Sequence, residues 1–345
     1  MVIGISKESS LFEISDIHPE EWDKLIKTFP DFTIYHLSCW HHVLEDCFNG
    51  HIHKFKIIKD GVTCGYWCGL TVKKFGMKIF GSPLPGTSTD YMHPLFSEEI
   101  PLDRFIIALR KWAKTNKIAH IELCGHYFNS EVLKEFGYST NHSETYIVNI
   151  STTESNIWQN LKPAMRNKVR KAEKNGIIVA IDDSLEFSRI YYDMLKVVFQ
   201  RKGLVPTYNL SRVEKVIHYL KNSDNVITLT ARKDSKPLST IILLKDKSTL
   251  YYWGGASYQE AFKYGANDLI HWYAFQMANK IGIHHYDTCG GGEYKKKFGG
   301  TYIQIPSAYL SLNYLTGAAR NIIKSSIVYR QKLSNFLNLL KIKNK

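Results

Sequence analysis

The chain repeats one order of structural elements in its two halves, and this repeat limits what its 345 residues can fold into. In the first half, residues 51–58, 64–72 and 77–80 are rich in β-branched and aromatic side chains, which is typical of strands. A helical pattern at 102–116 and a strand pattern at 119–124 follow. This order predicts a short antiparallel meander, then a helix, then a returning strand.

The second half repeats this order. Strand patterns occupy 226–231, 238–244 and 249–253, a helical pattern covers 266–280, and a strand pattern closes the unit at 284–288. The closing segments RKWAKTNKIAHIELCG and YAFQMANKIGIHHYDTCG also agree. We therefore predict a mixed α/β (α+β) chain in which each half has a mostly antiparallel central sheet flanked by helices.

The repeat predicts domains at 1–150 and 151–316, followed by a tail at 317–345. Between the repeated parts, a helical pattern at 157–176 is interrupted by Pro163, and a second pattern at 184–200 has a buried stripe that includes Leu185. The tail alternates apolar and basic residues, as an amphipathic helix does. Such a helix suits an anionic membrane surface, and equally a helix docked on the protein body.

The net charge of +13 favours anionic partners, which include phosphates, nucleic acid and anionic membranes. The six cysteines and fourteen histidines show no metal-binding spacing, so we expect no metal site. Scattered cysteines without a Cys-x-x-Cys pair fit a reducing compartment, so we expect a cytoplasmic protein, with a peripheral position at the inner face of the membrane as an open alternative. We expect no DNA partner.

One segment concentrates positive charge on a predicted helix, where the cationic residues are Arg166, Lys168, Arg170, Lys171 and Lys174. Residues four apart share a helix face, so Arg166, Arg170 and Lys174 repel one another unless an anion neutralises them. A phosphate-bearing substrate would do so through forked arginine hydrogen bonds. A solvated charged face is the alternative.

Four motifs resemble those of a known family. The string W-x-x-L-x-x-x-x-R-x-x-x-R-K-A-x-K-x-G runs from Trp158 to Gly176, IYHLSCW ends at Trp40, YYWGGAS precedes Asn267, and YDTCGGGEYKKKFGG spans 286–300. Together they resemble the Fem-type aminoacyltransferases of the GNAT superfamily, in particular the branch associated with surface polysaccharides. The resemblance runs over roughly residues 10–312, and it implies two tandem GNAT-like domains.

The resemblance also implies functional residues. Arg166 or Arg170 would bind the acceptor's phosphate, and Lys295, next to the aromatic Tyr294, would stabilise the transferring acyl group or its oxyanion. Asp287 at the end of a strand is a second catalytic candidate. The further substrate-binding candidates are Trp40, Tyr208, Trp253, Asn267, Gly291 and Phe298.

The expected reaction is acyl or aminoacyl transfer to an amine of a nucleotide- or lipid-linked envelope sugar. No permanently bound cofactor is expected. The donor stays open between aminoacyl-tRNA and acyl-CoA, because the stretch EAFKYGAND departs from the usual coenzyme A loop, and because the helical arm of the large bridge enzymes is missing. The alternative function is a non-catalytic GNAT-like scaffold that binds polyanions or the membrane surface.

Overall fold

The structure is a computed structural model that describes residues 12–17 and 19–312. The chain divides into two compact units. The first unit runs to Ser143 and resumes at Ile305, and the second covers Glu144–Gln304. The predicted amphipathic tail at 317–345 lies outside the described residues.

The first unit contains most of the elements that the first half of the repeat predicts. Its helices and strands are β1 (Phe12–Asp16), α1 (Trp22–Ile26), α2 (Ser38–Phe48), β2 (His51–Lys59), β3 (Val62–Lys74), β4 (Met77–Ser82), β5 (Leu95–Phe96), α3 (Leu102–Thr115), β6 (Ile118–Cys124), α4 (Ser130–Glu135) and the start of β7 (Ser139–Asn149).

The sheet of the first unit follows the order β1, β2, β3, β4, β6, and the strand that begins again at Ile305 pairs antiparallel with β6. All neighbours in β1–β4 are antiparallel, whereas β4 and β6 are parallel. The core is aromatic: the ring of Trp67 lies 5.5 Å from Phe55, 5.2 Å from Phe80 and 5.0 Å from Phe105 of α3. The apolar stripe of α3 thus covers the meander that precedes it.

The second unit repeats this plan with added helices. Its elements are the end of β7, α5 (Glu154–Asn160), α6 (Pro163–Lys174), β8 (Ile178–Ile181), α7 (Phe187–Gln200), α8 (Leu210–Lys221), β9 (Val226–Lys233), β10 (Lys236–Lys245), β11 (Thr249–Ser257), α9 (Gln259–Tyr264), α10 (Ala266–Lys280), β12 (His285–Asp287), a 3₁₀ helix (Glu293–Phe298) and the start of β13 (Thr301–Ser311).

The sheet of the second unit runs β7, β12, β11, β10, β9, β8. The meander β9–β11 is antiparallel, and β12 returns parallel to β11 after α10. Helix α10 buries Ile270, Ala274, Phe275 and Ala278 in the core, and α6 packs on α10. The predicted fold class, a mixed α/β chain whose halves repeat one arrangement of strands and helices, is therefore confirmed.

Two local predictions had different outcomes. Pro163 does divide the mid-chain helix, because it is the first residue of α6 and its fixed φ suits that position. Leu185, in contrast, was wrongly placed in a buried stripe: α7 begins only at Phe187, and the Leu185 side chain is fully exposed in the preceding turn. Among the described residues, no helix has the length and apolarity needed to span a bilayer.

Candidate functional site

The sheet of the second unit opens between its two parallel strands. Strands β11 and β12 pair only from Thr249 to Tyr251, after which β12 ends at Asp287 while β11 continues to Ser257. Just beyond that point β11 has a bulge, because Leu243 pairs with Tyr252 and Ile242 pairs with Gly254. The separation leaves Tyr252 and the residues after it available to line a cavity.

A cavity of about 360 Å³ lies beside this opening. Its walls come from the end of α7, from β10 and β11, from α9, from the first turns of α10 and from Tyr294. The polar lining includes Arg201, Tyr252, Ser257, Asn267 and His271. Two residues predicted from the sequence, Asn267 and Tyr294, thus line the same cavity.

His271 is a titratable side chain in the lining of this cavity, and its surroundings change its pKa. It is buried, its Nδ1 lies 2.8 Å from the Tyr286 hydroxyl, and its ring centroid lies 4.6 Å from that of Tyr252. Burial, with smaller contributions from the cations Lys297 and Lys295, lowers the pKa of His271 well below 6.5. The imidazole is therefore neutral at physiological pH and chemically able to accept a proton from an amine.

His271 and Tyr252 are not among the site residues predicted from the sequence. A signal for His271 exists, since it follows Asn267 by four residues on α10 and therefore shares its helix face. No comparable local signal connects Tyr252 with His271. These two residues meet only because β11 and α10 pack together.

Lys295 lies under the glycine-rich turn that follows β12. Its Nζ donates hydrogen bonds to the carbonyl oxygens of Thr288 at 2.6 Å and Cys289 at 3.2 Å. The same Nζ lies 5.5 Å from the ring centroid of Tyr252, within cation–π range. The side chain thus connects the turn to a residue that lines the cavity.

Asp287 is fully buried at the end of β12. One of its carboxylate oxygens accepts hydrogen bonds from the Thr145 hydroxyl at 2.5 Å and from the Cys289 amide at 2.8 Å. Next to it, Gly291 faces Glu144, whose carboxylate would lie 2.6 Å from any added Cβ. These contacts hold the glycine turn in place, and a catalytic role for Asp287 stays a prediction.

The two residues after Lys295 differ in their contacts. Lys296 forms an exposed ion pair with Glu293. Lys297 pairs with the buried Asp268 and lies 3.8 Å from the ring centroid of Tyr294. Burial lowers the pKa of Lys297 and raises that of Asp268. The Asp268–Lys297 pair therefore connects the first turn of α10 to the 3₁₀ helix, beside the cavity.

The predicted phosphate-binding arginines lie elsewhere in the second unit. Arg166 donates a hydrogen bond to the Gln159 carbonyl at 3.0 Å, and the Arg170 guanidinium lies 5.4 Å from the ring of Trp158. Both contacts are made to α5. Among the described residues, the lining of the cavity includes neither arginine. Their role in binding a phosphate stays a prediction.

Three further candidates lie around the cavity without lining it. Tyr208 and Trp253 have ring centroids 5.4 Å apart, and the Tyr208 hydroxyl lies 2.7 Å from that of Tyr191. The indole Nε1 of Trp253 is buried with no hydrogen-bond partner among the described residues. Phe298 is buried against His271, with ring centroids 4.6 Å apart, and so helps to fix the imidazole.

Trp40 belongs to the first unit and is fully buried there. Its Nε1 donates to the Thr89 hydroxyl at 3.0 Å, and its ring meets that of Tyr35. Tyr35 in turn donates to Asp90 at 2.7 Å. Its role in substrate binding stays a prediction.

Comparison with known proteins agrees with this architecture. Residues 160–297 match the family model of the acetyltransferase (GNAT) domain. The structure of FemX matches with a TM-score of 0.67 at 15% identity, covering 85% of this chain and 96% of FemX. A tandem GNAT protein from the clavulanic acid biosynthesis pathway matches with a TM-score of 0.55 at 7% identity, covering 88% of this chain and 99% of its own.

A third solved structure, L-PGS from Bacillus licheniformis, matches with a TM-score of 0.54 at 14% identity, covering 87% of this chain and 94% of its own. No sequence among the curated proteins matches significantly. The matched domain model contains α6, the meander β9–β11, α10 and Lys295, and therefore the cavity's main walls. Residues 160–297 accordingly form a domain of the acetyltransferase (GNAT) type, and the chain as a whole has a tandem fold similar to those of FemX and of the tandem GNAT protein.

Proposed function

We propose that this enzyme transfers an aminoacyl group to an amine of a nucleotide- or lipid-linked precursor of the cell envelope. The observation that carries the proposal is the cavity of the second unit, where Tyr252, Asn267 and a neutral His271 meet inside the segment that matches the GNAT domain. The fold similarity to FemX and to L-PGS supports an acceptor of this class.

In the proposed reaction, the amine of the acceptor attacks the carbonyl carbon of the activated acyl group. A new C–N bond forms, the bond to the donor's leaving oxygen breaks, and the proton that the amine loses ends on that oxygen. His271 can carry this proton, because its lowered pKa keeps the imidazole unprotonated before the reaction and makes the imidazolium a good acid towards the leaving oxygen. The contact of its Nδ1 with Tyr286 leaves Nε2 for a ligand. The Tyr252 hydroxyl, whose pKa burial raises, stays protonated and can donate to the developing oxyanion.

Lys295 has two roles in this proposal. Its ammonium group fixes the glycine turn through the Thr288 and Cys289 carbonyls. It also places a positive charge beside Tyr252, which favours negative charge developing nearby. The oxyanion role that the Fem resemblance implies for Lys295 is therefore proposed to act together with Tyr252.

The donor is proposed to be an aminoacyl-tRNA. A helix N-terminus binds phosphate through free amides and its dipole, and coenzyme A would need such a site. Here the first turn of α10 already holds the carboxylate of Asp268, paired with Lys297. This arrangement favours a donor whose phosphates bind elsewhere.

The test is transfer of a radiolabelled acyl group by the full-length protein. Labelled aminoacyl-tRNA and labelled acetyl-CoA are each offered with a UDP-linked muramyl peptide and with an undecaprenyl-linked amino sugar. Transfer from aminoacyl-tRNA supports the proposal as stated, and transfer from acetyl-CoA alone would overturn the donor assignment. Absence of any product with all four pairs, from protein that is folded by circular dichroism, would overturn the proposed function.

A further inference from the structure

One edge of the first unit displays an aromatic side chain in an unusual position. Strands β3 and β4 are joined by a two-residue turn, Phe75-Gly76, closed by the pairing of Lys74 with Met77. Both turn residues have positive φ, 50° for Phe75 and 76° for Gly76. Asn, Asp and Gly are the residues that suit such turns. The Phe75 side chain is nevertheless 80% exposed, so it contributes little to the core.

Lysines surround this aromatic side chain. Lys73 and Lys74 precede it and are exposed, and Lys78 follows it on β4. Lys78 pairs with Ile118 in the sheet, and its Nζ donates to the Asn116 carbonyl at 3.2 Å. Lys78, which contacts the end of α3, thus lies roughly 10 Å along the strand from Phe75, given about 3.4 Å of strand per residue.

Further cationic residues lie at the end of α3 and just after it. Arg110, Lys111, Lys114 and Lys117 line a groove of about 740 Å³ whose floor is apolar and includes Ile118 and Leu312. On the same helix face, Ile107 is 51% exposed. The segments 73–78 and 107–118 together contain seven Lys and Arg and no Asp or Glu.

We infer that this edge, formed by Phe75, Ile107 and the seven surrounding cations, docks on an anionic lipid bilayer. The phosphate headgroups would enter the basic groove and neutralise its cations. Phe75 would insert among the acyl chains, which would remove its apolar ring from water. A nucleic acid would neutralise the cations, and its bases could stack on Phe75, but it has no apolar region that would bury the exposed Ile107. A contact outside the protein would account for a phenylalanine at this strained and exposed position.

The inference goes beyond the proposed acyl transfer and does not depend on it. None of these residues belongs to the second unit, where the cavity lies. Transfer to a water-soluble acceptor should therefore be unchanged in variants of this edge, whereas binding to vesicles should change. The transfer assay therefore tests the proposed acyl transfer, and the vesicle assay separately tests the membrane contact.

The experiment is vesicle flotation with the full-length chain, using phosphatidylcholine vesicles with and without phosphatidylglycerol. Residues 313–345 stay in every variant, so differences report on this edge alone. We expect binding to the anionic vesicles only. Lys73→Gln with Lys74→Gln should weaken it by about tenfold or more, given the contribution of each cation near an anionic surface.

Phe75→Asn shows whether the Phe75 side chain contributes to the stability of the turn or to membrane binding. Asn suits the left-handed turn, so this variant should keep or raise the melting temperature and yet lose most vesicle binding, while Phe75→Trp should retain binding. One matched control is Val62→Asn, at an exposed apolar residue beside another turn. The other is Lys24→Gln with Lys27→Gln, at two exposed lysines on and just after α1. Both controls should bind vesicles as the unchanged chain does. Unchanged binding in both Phe75→Asn and the lysine pair, or binding to RNA without binding to anionic vesicles, would overturn the inference.

Discussion

The imidazole of His271 meets the ring of Tyr252 edge to face, with centroids 4.6 Å apart and ring planes at 89°. Phe298 and Tyr286 contact the imidazole as well, so its orientation is fixed by side chains from three other elements. A proton acceptor and a hydroxyl donor thereby line one cavity in the half of the chain that matches the GNAT domain. The predictions on catalysis follow from this pair and from its supports.

Replacing His271 with alanine should lower kcat by about a hundredfold or more, in the range that general bases contribute. Because burial keeps the pKa of His271 well below 6.5, kcat at saturating acceptor should show no loss centred near pH 6.5 in the unchanged enzyme. The measurement is single-turnover transfer across pH. The control is His284→Ala, at an exposed residue. Equal loss in both variants would argue against a catalytic His271.

Lys295→Ala should reduce transfer by at least about tenfold, because the glycine turn and Tyr252 both lose the ammonium group that contacts them. Lys296→Ala is the matched control, since Lys296 pairs with Glu293 at the surface. Both variants should be compared by initial rate and by melting temperature. Equal rates for the two would show that Lys295 has no special role.

Gly255→Ala tests the position of the Tyr252 hydroxyl. A Cβ at residue 255 would lie 2.1 Å from that hydroxyl oxygen, so the tyrosine must move. We expect a large rate loss in the single variant, a loss of similar size in Tyr252→Phe, and little further loss in the double variant. A double-mutant cycle measures this coupling. Additive losses would mean that Gly255 acts independently of Tyr252.

Arg170→Ala tests whether α6 binds the phosphate of the acceptor. The guanidinium lies over Trp158 on an exposed helix face, so its loss should change stability by only about 1 kcal/mol or less. If the resemblance to Fem-type proteins extends to this residue, the Kd for a UDP-sugar should rise about tenfold or more, as measured by calorimetry. The neighbouring exposed Lys171→Ala serves as control. An unchanged Kd would remove Arg170 from the acceptor site.

Acid should destabilise the first unit through His36, which is fully buried and whose pKa is lowered to about 3, chiefly by burial. Its unfolded pKa is about 6.5, so below that pH the unfolded chain binds a proton that the folded chain excludes. The free energy of unfolding should therefore fall by up to about 1.4 kcal/mol per pH unit from this group. Urea unfolding at several pH values checks this, and His36→Gln should flatten the slope. If the free energy of unfolding of His36→Gln falls with pH as steeply as that of the unchanged chain, other groups cause the loss of stability in acid.

Much of the fold could be predicted from local patterns. Helix α10 begins at Ala266 and ends at Lys280 as predicted, because its apolar spacing and its packing face agree. Strand β11 is longer than predicted and reaches Ser257, since Gly254 and Gly255 carry little strand propensity yet pair with β10. Leu185 shows the opposite error, where an apolar residue follows a helical spacing but lies before the helix.

Fewer features of the candidate site than of the fold could be predicted from the sequence. Asn267, Tyr294 and Lys295 were selected through the Fem resemblance, and the structure places them at or beside one cavity. Arg166 or Arg170 was predicted to bind the acceptor's phosphate; both guanidinium groups contact α5, and neither residue lines this cavity. The spacing of charges along a helix predicts which residues share a face, and it does not predict which neighbour that face meets.

The sequence by itself determined the repeated order of strands and helices, the division of the mid-chain helix at Pro163 and the strong positive charge, because these depend on neighbouring residues and on composition. Only the tertiary structure decided that β11 and β12 separate after Tyr251 and that His271 is buried beside Tyr252 with a lowered pKa. It also decided that Lys78, on the hairpin of Phe75, contacts the end of α3. Each of these depends on the packing of elements distant in the chain, and pKa and exposure are properties of that packed environment.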